Sequence, residues 1–243
     1  MKIIVISLPS SQSRRVKVIE KLGSKNIDFE FLDAVDGRTG NHPYLKNYNE
    51  KAFLANRRRI ADPGELGCYV SHLLAWEKCI HMDEAIVVLE DDFELTDSFD
   101  EGIQFVEQFL DRVSFIRLEP LESNFFVTSV RNHAFSLVKQ LKIAMCATGY
   151  VITPKGAKAL LKKGMEISFP IDLYLKYTII HQQPIHALVP NIVYPTHVES
   201  TIGSNIRNHR KKGITLKINR FIRKWAYVLA NTSTNLSNIF KTF

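Results

Sequence analysis

The sequence runs to 243 residues, 45% hydrophobic and 23% charged, with a formal charge of +7 and three cysteines. Those proportions exclude collagen-like, disordered and coiled-coil chains, and no run of 18 apolar residues offers a membrane span. The apolar run Ile3–Leu8 is too short for a secretory core, and Cys68, Cys79 and Cys146 lack both metal-ligand spacing and an even count; the expected setting is reducing and cytoplasmic.

Residues 2–8 (KIIVISL) form a continuously apolar, β-branched run that predicts a buried strand. Ser10–Gly23 follows with Val16, Ile19 and Leu22 at helical spacing and a glycine stop. Phe29–Ala34 predicts a second strand, closed by the turn Asp33-Ala34-Val35-Asp36-Gly37. Arg38–Gly64, with the triplet Arg57-Arg58-Arg59, reads as a long loop holding a short helix, and loops of that length are commonly functional. A long helix is expected over Glu65–Met82, then an apolar strand over Ala85–Leu89 running straight into Glu90-Asp91-Asp92. Ser98–Leu110 predicts an amphipathic helix with Asp100 and Glu101 in its first turn. Strands are expected at Val113–Leu118 and Met145–Ile152, a helix from Pro154 to Lys163, another from Pro170 to about His181, and a last strand at Ile185–Val189.

Charge divides the chain. Ser200–Phe243 carries nine Lys and Arg residues and no acid. Within it Ile218, Phe221, Ile222, Trp225, Val228 and Leu229 recur at helical spacing, with Lys217, Arg220, Arg223 and Lys224 opposite them. A basic helix with such a stripe suits an anionic membrane surface or a partner protein; it equally suits packing on its own domain. Nothing beside it resembles a nucleic-acid-binding module, so no nucleic acid is expected. The expected division is a catalytic domain over 1–205 and a basic amphipathic tail over 206–243.

Strands and helices alternating at this pitch predict an α/β fold, a mostly parallel sheet with helices on both faces, plus the C-terminal helix. In such sheets ligands bind at the carboxyl ends of the strands, where both Asp33–Gly37 and Glu90–Asp92 fall. Side chains alternate along an extended chain, which puts Glu90 and Asp92 on one side and Asp91 on the other. Three adjacent carboxylates repel unless a cation sits among them, and their hard oxygens suit Mg²⁺ or Mn²⁺ carrying phosphate oxygens of a substrate. The alternative is a solvated acidic turn ahead of the next helix. No G-x-G-x-x-G follows the first strand, and no G-x-x-x-x-G-K-[ST], G-x-S-x-G or H-E-x-x-H occurs. A bound diphosphate would therefore rest on a metal and on cations such as Arg14 and Arg15.

Several segments together resemble glycosyltransferase family 25. They are Ile6-Ser7-Leu8 with Arg14-Arg15, Asp33–Gly37, Glu65-Leu66-Gly67-Cys68-Tyr69-Val70-Ser71-His72 and Val88-Leu89-Glu90-Asp91-Asp92. Thr148-Gly149-Tyr150-Val151-Ile152, Pro170-Ile171-Asp172 and Ser200-Thr201-Ile202 continue the pattern, which spans residues 2–203 in order. The resemblance implies a GT-A fold, a Rossmann-type mostly parallel sheet, with a UDP-sugar donor and a Mn²⁺-type ion on an Asp-x-Asp-like motif. It also implies inversion at the anomeric carbon and a lipooligosaccharide or other glycolipid acceptor. Glu90 replaces the first Asp of a strict motif, leaving open whether Glu90 or Asp91 partners Asp92.

On this reading Glu90, Asp91 and Asp92 hold the metal and His197 is a candidate further ligand, or else an ordinary loop histidine. Asp172 is the candidate base, or else a helix-start residue satisfying backbone N–H groups. Arg14, Arg15, Asp33 and Asp36 are candidate donor-binding residues, the aspartates for uridine, with Asx turns as the alternative. Glu65, Ser71 and His72 are candidate pocket residues on the long helix. The enzyme would work on the cytoplasmic side of a bacterial inner membrane, held there peripherally by residues 206–243. Two other readings compete: a metal-dependent hydrolase of nucleoside-diphosphate sugars, and a non-catalytic protein acting through its basic tail.

Overall fold

A computed structural model describes residues 1–196 and 214–241. His197 and Ser200-Thr201-Ile202 lie outside the described residues. In chain order the elements are β1 (Lys2–Ser7), α1 (Gln12–Gly23), β2 (Phe29–Asp33), a 3-10 turn (Pro43–Asn47), α2 (Glu50–Arg57), α3 (Pro63–Met82), β3 (Ile86–Glu90) and β4 (Phe93–Leu95). Then come α4 (Phe99–Glu107), β5 (Phe115–Arg117), β6 (Phe126–Arg131), β7 (Ser136–Gln140), β8 (Gly149–Ile152) and α5 (Pro154–Gly164). The chain continues through α6 (Ile171–Lys176), α7 (Thr178–His181), β9 (His186–Val189), β10 (Val193–Pro195) and α8 (Ile214–Phe240).

Eight strands form one sheet in the order β2-β1-β3-β8-β5-β9-β7-β6, and β4 pairs with β10 in a small antiparallel ribbon. The pairings make β8 and β7 run against the other six, so the sheet is mixed but mostly parallel. Alternation along β1 divides the interior. Ile4 and Ile6 pack with Val70, Leu73 and Trp76 of α3 and Leu160 of α5, while Ile3 and Val5 pack with Val18 and Leu22 of α1 and Phe105 and Val106 of α4. Helices therefore cover both faces, as the sequence predicts.

The chain leaves β1 through α1 on one face to reach β2, and returns through α3 on the other face to reach β3. β1 thus stands between its two successors, where strand order reverses and the carboxyl ends open a crevice. Ser7 pairs in register with Asp33, and Ile6 with Glu90, which sets three strand ends side by side.

The long helix begins at Pro63, two residues before the expected start. Asp62 accepts from Gly64 N at 2.8 Å and Glu65 accepts from Asp62 N at 3.0 Å, a capping box with proline in the first turn. The expected single helix over 170–181 is two helices, broken at Tyr177 (φ −91°, ψ 76°). There the ring stacks on Tyr227 of α8 with centroids 5.1 Å apart, so tertiary packing overrides local helical preference.

The basic C-terminal segment is a helix docked on the domain. Asn231 and Asn235 both receive the Thr178 hydroxyl, Asn235 donates to Leu141 O at 3.0 Å, and Asn231 donates to Lys176 O at 3.1 Å. The docked face is the polar one. Ile218, Ile222, Trp225, Leu229, Leu236 and Phe240 share the opposite stripe and are all exposed.

Candidate active site

A cavity of about 680 Å³ opens at the carboxyl ends of β1 and β3, a size typical of small-ligand sites. It takes in Ser7, Arg14, Asp36, Arg57, Arg59, Glu65, Ser71, Glu90, Asp91, Asp92 and Asp172. Most of the residues singled out in the sequence thus meet in one hollow, although they come from six separate stretches of chain.

Two glycines bring its walls together. A Cβ on Gly37 would lie 1.8 Å from Pro63 O, and one on Gly67 would lie 2.2 Å from Val35 O. The loop after β2 can therefore press against the first turns of α3 only where side chains are absent. Ser71 fastens the same loop: its Oγ accepts from Val35 N at 2.8 Å and donates to Gly67 O at 2.7 Å. Ser71 borders the cavity, but its hydroxyl is spent on the fold. Glu65 is similar, its carboxylate gripped at 2.6 and 2.7 Å by both guanidinium nitrogens of buried Arg59.

β3 stops at Glu90 and the chain bends over Asp91-Asp92, so the expected alternation fails at this point. Asp91 and Asp92 share Arg14, at 2.8 and 3.9 Å, while Glu90 turns toward α3. Asp91 has a partner on each oxygen, since Ser7 Oγ donates to the second at 2.7 Å. Glu90 is held by three longer bonds of 3.4 Å, from His72 Nε2, the Cys68 thiol and the Thr148 hydroxyl. Although burial works to raise its pKa, His72 and the other two donors hold Glu90 below the ordinary carboxylate value. Burial, with Glu90 adding to it, pushes the Cys68 thiol well up, so sulfur serves as a protonated donor.

His72 does not line the cavity. It is fully buried behind Glu90, its Nδ1 2.9 Å from the Tyr150 hydroxyl, which also receives Trp76 Nε1–H at 2.9 Å. A chain Trp76–Tyr150–His72 thus sets the orientation of Glu90.

Asp92 is the least satisfied of the three acids. Burial first, then Glu90, raises its pKa to about 6, and Arg14 only partly offsets this. Three adjacent carboxylates, two of them sharing Arg14, are a hard-oxygen donor set short of positive charge, which fits Mg²⁺ or Mn²⁺. A second grouping, Cys68, His72 and Glu90, has donor atoms within 4.8 Å of one another, on the buried side of the same carboxylate.

Asp172 lies on the far wall. Its Oδ1 accepts from Leu173 N at 2.7 Å, so the helix-start role is real, yet the carboxylate still borders the cavity. Burial raises its pKa, the Leu173 bond and nearby Arg57 opposing. Asp36 pairs with Arg38 at 2.7 Å through both oxygens. Arg15 and Asp33 do not reach the cavity. Arg15 pairs with Asp33, donates to Ser7 O at 2.8 Å and lies over the Phe31 ring, so these two expected donor-binding residues brace β1 against β2 instead. The sequence reading missed Cys68 and Thr148 as partners of Glu90, and Arg57 and Arg59 as cations of the site. The basic triplet 57–59 was the available signal.

The sequence profile of glycosyltransferase family 25, described as an LPS biosynthesis protein, matches residues 1–175. The chain belongs to glycosyltransferase family 25. A Haemophilus influenzae protein named as a glycosyltransferase is 30% identical over 235 residues, covering 88% of this chain and 81% of its own. The lipooligosaccharide biosynthesis protein lic2B of Haemophilus influenzae is 28% identical over 240 residues, covering 90% and 86%. Human procollagen galactosyltransferase 2 is 24% identical over 224 residues, and there the match spans 81% of this chain but 35% of the human one. Among solved structures, a glycosyltransferase involved in glycosylation of the PBCV-1 major capsid superposes with a TM-score of 0.44 at 11% identity, covering 82% of this chain and 93% of that one. Membership in this family supports a transferase activity, and the cavity is the candidate active site.

Proposed function

We propose that this family 25 glycosyltransferase moves a hexose, galactose or glucose, from a UDP-sugar to a lipooligosaccharide-type acceptor, inverting the anomeric centre. The observation that carries the reading is the convergence of Glu90, Asp91, Asp92 and Arg14 at the carboxyl ends of β1 and β3, across one cavity from Asp172. Glu90, Asp91 and Asp92 are the residues that would hold Mn²⁺ or Mg²⁺. Such an ion, when bound, offsets charge gathering on the departing nucleoside diphosphate. Arg14 adds a fixed positive charge on the same side. Asp172 takes the proton from the acceptor hydroxyl as that oxygen bonds to the anomeric carbon and the carbon–phosphate-oxygen bond breaks. Its raised pKa makes it a stronger base than an exposed aspartate.

The acceptor reading has support from α8. No helix among the described residues is long and apolar enough to cross a membrane. The outward stripe is nonetheless large, with Phe221 64%, Leu229 66% and Phe240 80% exposed. A contiguous apolar face of that kind suits the headgroup boundary of a bilayer, and with it a peripheral place on the cytoplasmic face of the inner membrane.

Product analysis tests the reading. Purified protein with UDP-galactose or UDP-glucose and Mn²⁺ should release UDP only when an oligosaccharide acceptor is added, with a β-linkage opposite to the donor's α. Free hexose released at one rate with and without acceptor would establish the hydrolase reading instead. Full biological function in an Asp92→Ala protein would establish the non-catalytic one.

A further inference from the structure

Arg57 and Met145 line both the cavity and a second hollow of about 620 Å³, which lies between the domain and α8. Its charge is one-sided. Arg57, Lys142, Lys176, Arg220, Arg223 and Lys224 line it, and Glu122 is its one carboxylate among the described residues. Glu122 is engaged by Lys142 at 2.7 Å and Lys176 at 2.6 Å. Arg223 has a neutral partner, donating to Asn56 Oδ1 at 3.3 Å. The Nε of Arg57 is buried with no hydrogen-bond partner among the described residues. Burial works to lower the Arg57 pKa, and Arg59 and Arg220 add to that by repulsion, Asp172 and Glu65 drawing the other way. A half-buried cation among cations is costly unless an anion arrives to share them.

Helical geometry explains the wall. Arg220, Arg223, Lys224 and Tyr227 fall at i, i+3, i+4 and i+7, so they share the face of α8 that lies on the domain. Arg220 is half-buried on this face, while Arg223 and Lys224 line the hollow with their side chains still open to solvent. The wall also carries a cluster of aromatic rings among its aliphatic residues. Tyr177 stacks on Tyr227, Phe169 meets both rings edge-on at 5.5 and 5.3 Å, and Phe125 is 77% exposed. Rings beside clustered cations are what a saccharide bearing an anionic group would use: apolar sugar faces on the rings, the anion on the guanidinium groups.

We propose that this second hollow is the acceptor site, and that it selects a saccharide carrying a phosphate or carboxylate, with the anion seated against Arg57, Arg220, Arg223 and Lys224. The proposal rests on the sugar-transfer reading; Arg57 and Met145, which line both spaces, stand where donor and acceptor would meet.

The test is calorimetric titration of the full chain with glucose, glucose 6-phosphate, glucuronate and inorganic phosphate, alongside UDP with Mn²⁺ and vesicles of phosphatidylglycerol. Glucose 6-phosphate and glucuronate should bind at least tenfold more tightly than glucose or phosphate alone, and the advantage should fall as salt rises. In Arg223→Glu/Lys224→Glu that advantage should vanish while UDP–Mn²⁺ affinity stays within twofold; the milder Arg223→Gln/Lys224→Gln should lose about half of the binding free energy gain. Retained discrimination in both variants, or equal affinity for glucose and its phosphate, overturns the proposal. So does phosphate alone matching the sugar phosphate. A variant that loses vesicle binding but keeps sugar-phosphate binding would give these cations to lipid and overturn it too. Sugar-phosphate binding that persists where UDP–Mn²⁺ does not bind would sink the sugar-transfer reading alone.

Discussion

Replacing Asp92 by Asn should stabilise the metal-free protein while abolishing turnover. The carboxylate rises from 3.8 to about 6 in the fold, because burial and the neighbouring Glu90 oppose its charge. At about 1.36 kcal/mol per unit, ionised Asp92 costs the folded state about 3 kcal/mol above pH 6. With the side chain 27% exposed, solvent screening trims this to about 2 kcal/mol. The sign follows from the raised value: the folded state binds a proton more tightly than the unfolded chain, so the penalty is absent below pH 3.8 and complete above about 6. Asparagine keeps the shape and drops the charge. A gain of about 2 kcal/mol in a domain of this size raises Tm by about 4–8 °C. Scanning fluorimetry at pH 7.5 should show that gain, and the gap should narrow to under about 1 kcal/mol by pH 4. Added Mn²⁺ should raise the Tm of the parent and leave the variant unmoved. A variant no more stable than its parent at pH 7.5, or a gap of equal size at both pH values, would refute the reasoning.

Four further outcomes are expected. Asp172→Asn should lower kcat by at least about 10²-fold with UDP affinity unchanged, and the parent's rate should climb with pH through the raised Asp172 pKa as the base loses its proton; an unaltered rate in stopped assays would remove it as the base. His181 is buried with a pKa lowered to about 4, its Nδ1 accepting from Gln183 N at 3.1 Å and its Nε2 3.2 Å from Leu175 O. Because the unfolded chain takes up the proton first, stability is whole above pH 6.5 and drops by about 2 kcal/mol by pH 5; urea titrations at pH 7 and 5 should show a His181→Gln protein losing less. Gly67→Ala should cost more than about 2 kcal/mol in the same urea assay, since its methyl must displace Val35 O from 2.2 Å. Phe221→Ser/Trp225→Ser should leave Tm within about 2 °C while weakening sedimentation with anionic vesicles several-fold.

Much of the fold was legible because β1, β3 and β9 are largely apolar runs bounded by turns, β2 ends in a turn signal, and α1, α3 and α5 have helical spacing. The hairpin β6–β7 went unread: Phe126–Arg131 is a largely exposed edge strand, without the alternation that marks a half-buried one. The reversed direction of β8, inserted between β3 and β5, depends on sheet order, which spacing alone does not encode. In the site, strand-end placement anticipated that Glu90, Asp91 and Asp92 would meet at one cavity. It could not foresee the bend at Asp91 that gives Arg14 two carboxylates, nor that Arg15 and Asp33, one pair in register behind, would spend themselves on each other. Helical periodicity separated the two faces of α8 but not which one would dock. The buried Asn231 and Asn235 decide that, because their amides satisfy backbone and hydroxyl groups that the apolar stripe would leave unpaired.

The central claim is that the acids closing β3 grip a divalent cation and, through it, a sugar nucleotide. Calorimetric titration of UDP-galactose and UDP-glucose into the full chain, with and without Mn²⁺, addresses it directly. Binding of one donor that needs Mn²⁺ and disappears in Asp92→Asn is the expected result. Donor binding that ignores both the metal and the substitution would contradict the account.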